Sequence, residues 1–151
     1  MTTQTYCTKA DIEEIWPAAE LLASVDDDAS GTLSVAEEAH ITRAIERAAN
    51  IINARLEVHY PLAELAGNAW CRDANAAIAA YLLATRQGDP APAHLAQQYD
   101  AYISALADIA AGRMTVPQIT ETFDVTPGVT NFEIRLNEPY RKAQRIEETS
   151  R

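Results

Sequence analysis

The chain has 151 residues, 48% of them hydrophobic and many of those alanine, with a formal net charge of -10 at pH 7. That length suits one domain with an appendage, and the charge disfavours a protein that grips DNA through its phosphates, though not one that surrounds DNA without holding it. No apolar run nears the ~18 residues of a membrane span, and "MTTQTYCTKADIEE" has neither the basic nor the apolar region of a signal peptide, so an unexported protein is expected.

Thr8 precedes "KADIEEIW" with Asp11 three residues later, a capping-box-like helix start. Pro17 ends or restarts that helix. A short segment, "AAELLASV", then leads into "DDDASGTLSVAE" at residues 26–37. Ser34 and Glu37 form a second helix start, after which Ile41, Ile45, Ala48, Ile52 and Leu56 draw one apolar stripe. This is the strongest helix of the chain, and it stops at "HYPLAELAGN", where Pro61 and Gly67 mark a turn. In the next helix, within residues 69–87, Cys71, Ala74, Ile78, Tyr81, Leu82 and Thr85 share a face. "GDPAP" breaks the chain, and Pro92 sits where a first-turn proline would. Leu95, Tyr99, Tyr102, Ile103, Leu106 and Ile109 then repeat helically, with Gly112 as the C-cap. These stripes read as core.

Near Thr115 the composition changes from alanine-rich to rich in Thr, Pro, Val and Phe. Up to that point there are 16 acidic and 7 basic residues, giving -9; after it 6 and 5, giving -1. "PG" within "FDVTPGVTNFEIRL" suggests a turn between extended segments. The fold class expected is mainly α: a compact bundle of about four to five helices over residues 1–115, with an extended, partly β tail over 116–151. Such a tail is too small to build its own core. It therefore drapes over the body or docks on a partner, with Phe132, Ile134, Leu136, Tyr140, Arg141, Lys142 and Arg145 as the contact residues.

Catalytic motifs are missing: no nucleophile elbow, glycine-rich phosphate loop or HExxH helix occurs. His40, His59 and His94 are scattered, and Cys7 and Cys71 form no CxxC pair, so free thiols and a non-enzyme are expected. The acidic loop is open to two readings. Asp26, Asp28, Ser30, Thr32, Ser34 and Glu37 fall on the spacing of an EF-hand calcium loop, with Gly31 at its turn. The same letters also make a polar turn followed by a helix cap. One loop without a partner hand, and methionines only at Met1 and Met114, argue against a calcium sensor. Three carboxylates would give weak, structural calcium binding, and no cofactor is required.

The order of these pieces resembles the head–tail adaptor (connector) proteins of tailed bacteriophages, in particular the Mu-like family of small structural proteins. The resemblance covers roughly residues 5 to 115. It rests on Tyr6, Thr8, Asp11 and Ile12; on Ala44, Ala48, Ile52, Asn53 and Leu56; on Tyr60, Pro61 and Leu62; and on Tyr99, Leu106, Ile109 and Gly112. It implies a virion neck protein, made in the host cytoplasm, that forms a ring of about twelve copies beneath the portal protein. Such a ring extends the DNA channel without binding DNA specifically, and it contacts neighbouring copies and a tail-side or stopper protein. The alternatives are a tail-completion or stopper protein, a small calcium-binding module, and a regulatory helical bundle.

Overall fold

Six helices form among residues 3–117, the part of the chain that the computed structural model describes. They are α1 (Lys9–Ile15), α2 (Ala18–Val25), α3 (Val35–Leu56), α4 (Leu62–Leu65), α5 (Ala69–Ala84) and α6 (Ala93–Ala110), and no strand occurs among these residues. The chain is thus mainly α, as its periodicity requires. α4 is a single turn inside the segment read as a connection, entered from Pro61 and left at Gly67.

Local sequence sets most helix ends. The Thr8 backbone N–H and hydroxyl both donate to Asp11 Oδ2, at 2.6 and 2.8 Å. Pro17 separates α1 from α2, and across that break Trp16 Nε1 donates to Glu20 Oε2 at 3.0 Å. Pro92 is the N-cap of α6 and stands just outside its first turn. At the far end of α6, Arg113 N donates to Asp108 O and Gly112 N to Ile109 O, with Gly112 at φ +74. That is the Schellman closure, which needs the left-handed backbone glycine adopts without strain.

All five stripe residues of α3 are buried. α5 departs from the one-faced helix expected of it, because every residue from 74 to 80 is buried. Ala74, Ala76, Ala77, Ala79 and Ala80 supply the reason: with only methyl groups between backbones, α1, α2, α3 and α6 all pack onto it. α5 is the axis of the bundle.

A polar residue sits inside that axis. Asn75 is fully buried; its Oδ1 accepts from Tyr6 N at 2.9 Å and Cys7 N at 3.2 Å, and its Nδ2 donates to Ile45 O on α3 at 3.0 Å. Asn53 on α3 repeats the pattern, donating to Gln4 O at 3.1 Å and accepting the Tyr6 hydroxyl. The N-terminal segment is thereby tied to both central helices. A third asparagine, Asn68, caps α5 through Cys71 N and donates to Pro117 O at 2.9 Å. Beside it, Val116 is buried and its N–H donates to the Tyr60 hydroxyl. The non-helical stretches flanking the bundle are therefore bonded to it at both ends.

Two predictions follow from this packing. Asn75→Ala takes the side-chain partner from the buried Cys7 N–H, the half-buried Tyr6 N–H and the Ile45 carbonyl, which should cost about 3 kcal/mol and lower Tm by roughly 10 °C. A thermal melt followed by circular dichroism measures it. Cys7 and Cys71 are free and buried, and burial pushes each thiol up to about 12. Neither should react with dithiobis-nitrobenzoate in the native protein, and both should react at once in denaturant.

Candidate functional site

Among the described residues, the loop between α2 and α3 gathers the most concentrated set of acidic groups. Asp26, Asp28 and Glu37 each bring a carboxylate oxygen within 4.8 Å of the others, as the spacing required. The backbone that brings them there is left-handed at Ala29 and Gly31. Those two turns aim the Ser30 and Gly31 N–H groups at Asp26, at 3.1 and 2.8 Å, and Ser30 N also reaches Asp28 Oδ1 at 3.0 Å.

The other expected ligands turn elsewhere. Ser30 Oγ donates to Thr32 O at 2.9 Å, which ties the hydroxyl to the carbonyl. Ser34 caps α3: its N–H and its hydroxyl both donate to Glu37 Oε2 at 2.7 Å, while Glu37 N donates back to Ser34 Oγ at 3.3 Å. Glu37 Oε1 accepts from Asp27 N at 2.8 Å, and Glu37 is buried. The trio has the hardness and spacing for a divalent cation. Every one of these carboxylates already accepts backbone N–H groups, so the loop is built as a self-satisfied junction.

Asp27, which spacing left without a role, fastens the junction to the rest of the body. Arg86, just past the end of α5, donates to both Asp27 oxygens and to Ser24 O at 3.2 Å. Gln87 Nε2 reaches Asp27 Oδ1 at 3.0 Å, and His40 Nε2 lies 3.5 Å from Oδ2. With Asp27 and Arg86 59 positions apart, no local pattern could have paired them.

Charge follows geometry here. The Gly31 N–H, with Ser30's, holds Asp26 below the usual carboxylate range. Glu37 is lowered by the Ser34 N–H first and then by the Ser34 hydroxyl and the Asp27 N–H, with the Asp26 charge opposing. Asp27 is lowered chiefly by its hydrogen bond from Arg86. The second set of expected site residues, Phe132, Ile134, Leu136, Tyr140, Arg141, Lys142 and Arg145, lies outside the described residues.

A family model described as "Bacteriophage Mu, Gp36" matches residues 6–131. No curated protein and no solved structure matches the chain.

Two outcomes are expected of the junction. Removing the α3 cap with Ser34→Ala should cost about 1 kcal/mol in a denaturant titration. Glu37, Asp26 and Asp27 are all depressed in the folded chain, so their stabilisation is present above the unfolded carboxylate range and is lost as pH falls through the folded values. Tm should therefore stay level from pH 8 to about 5 and fall below about pH 4. The gap between wild type and Glu37→Gln should close over that same fall, as read from melts across the pH series.

Proposed function

The chain belongs to the bacteriophage Mu Gp36 family and is a phage structural protein, and from that premise we propose that it serves as a head–tail adaptor subunit. Copies of it form a ring beneath the portal, extend the DNA channel and give the tail its platform. Family membership over residues 6–131 is the observation that carries this reading. Three features of the chain support it. The described body is helical throughout its regular structure, whereas stopper proteins are more often β-rich. Its -10 charge suits a channel through which DNA slides without the counterion release that accompanies gripping. No helix among the described residues is long and apolar enough to cross a membrane.

On this reading the body, residues 1–115, forms the ring wall, and the segment from 116 onward carries the docking residues toward the portal or a neighbouring copy. The acidic loop is a helix junction, and the protein needs no metal to fold. EDTA should leave helicity and Tm unchanged; a loss of helicity restored by calcium would favour a calcium module instead.

The adaptor reading is tested by native mass spectrometry of the protein with the portal protein encoded beside it. The shortened chain should end after Pro117, because Val116 is buried and Pro117 O is bonded to Asn68. Full-length chain should bind in multiple copies and the shortened chain should not. Absence of binding by both would contradict the adaptor role.

A further inference from the structure

Seven Lys and Arg residues fall within residues 1–115, against 16 acidic ones, and three of the seven line a single groove. It lies between α3 and α5, measures about 190 Å³, and is walled by His40, Arg43, Arg47 and Arg86 with Leu82 and Leu83. Arg43 and Arg47 stand four residues apart on one face of α3, a like-charge spacing that weakens a helix. Both are exposed, and neither pairs with a carboxylate among the described residues. Arg86 is turned toward Asp27, and its Nε is buried without a partner. Asp27 also faces His40. Arg86 and His40 thus serve the fold through Asp27, whereas Arg43 and Arg47 stand beside them with no such role.

The molecule carries the complement of this groove. A second groove, of about 200 Å³ between α1, α5 and α6, is lined by Asp11, Glu14 and Asp73 with Gln98 and Tyr102. Arg72 pairs with Asp73 and approaches Asp11 at 3.9 Å, but Glu14 has no partner among the described residues. The two grooves share no residue. α5 lends Asp73 and Ala76 to one and Leu82 and Leu83 to the other, which separates them along the helix by ~12 Å at 1.5 Å per residue.

We propose that the basic α3–α5 groove of one copy receives the acidic α1–α5–α6 rim of the next, making this the contact between subunits. The proposal rests on the ring reading above and names the surface that builds it. Because the two patches differ, the contact is head-to-tail, and it closes into a ring where the rotation between copies allows. Chains of charge -10 repel one another, so a contact in which opposite signs meet fixes their register. Leu82, half-buried in the groove wall, favours a protein occupant, since a phosphate backbone would gain nothing from it.

The test uses two doubly neutralised full-length proteins, one with Arg43→Gln and Arg47→Gln, the other with Glu14→Gln and Asp73→Asn. Self-association is measured by sedimentation velocity at low salt and the highest soluble concentration, and ring formation by native mass spectrometry on the portal. Circular dichroism checks that both variants fold. Each should lose at least ~10-fold in self-association. An equimolar mixture should form one-to-one heterodimers and no longer species, because each variant keeps one working patch. Wild-type-like association or complete rings from either variant would overturn the contact while leaving the adaptor role intact. A wild type that stays monomeric both alone and with the portal would overturn both. Loss of heparin retention without loss of self-association would assign the arginines to a polyanion, and that too would overturn it.

Discussion

The bundle depends on one buried carboxamide. α5 can sit at the centre only if something covers every side of it, and part of that cover is the non-helical segment before α1. Backbone N–H groups brought against a helix core must find acceptors there. Asn75 offers an acceptor to Tyr6 and Cys7 and, from the same group, a donor to Ile45 O. Aspartate could not do this, since it lacks the donor and would bury a charge. A leucine would fill the space and leave the polar groups stranded. With Asn53 holding Gln4 and Tyr6 from α3, the segment becomes a structural layer of the body.

The same economy of polar groups explains how so acidic a chain folds. Its carboxylates are spent on backbone N–H groups wherever they crowd: Asp11 at the start of α1, Glu37 at the start of α3, and Asp26 and Asp28 within the loop between. A negative group at a helix start also meets the positive end of the helix dipole. Cations are few, and two arginines bridge distant elements: Arg86 joins the end of α5 to Asp27 and Ser24, and Arg72 approaches Asp11 on α1. Arg43, Arg47 and Arg55 are left without a carboxylate among the described residues, and the first two share one groove, which is why that groove reads as a surface for another molecule.

Much of this was legible in the letters. The α3 stripe, the starts at Thr8 and Ser34, the break at Pro17 and the closure at Gly112 are local chemistry, and periodicity or spacing exposes them. α5 was read too narrowly because a face is found by contrast, and an alanine-rich helix offers little. Asn75 did leave a signal, since it stands on the same helical row as Cys71, Ile78 and Leu82, a polar residue on a face read as core. What it bonds to could not be inferred, because its partners lie 68 and 30 residues away. The residues that carried the family resemblance now have physical roles: Tyr6 and Asn53 are one clamp, Tyr60 bonds Val116, and Ile12, Ile52, Leu56, Leu106 and Ile109 are core. Spacing alone suggested that Asp26, Asp28 and Glu37 converge, and their carboxylates do lie within 4.8 Å of one another; Ser30 and Ser34 bond within the turn and the cap.

If the N-terminal segment is a layer of the body, its amides open only when the whole body opens. Native-state hydrogen exchange of the Tyr6 and Cys7 amides, followed by NMR beside those of α3 and α5, measures this directly. The account predicts that Tyr6 and Cys7 exchange as slowly as the central helices and respond to denaturant with the same slope. Exchange at the rate of a frayed terminus, while α3 and α5 remain protected, would show that the bundle stands without its asparagine clamps.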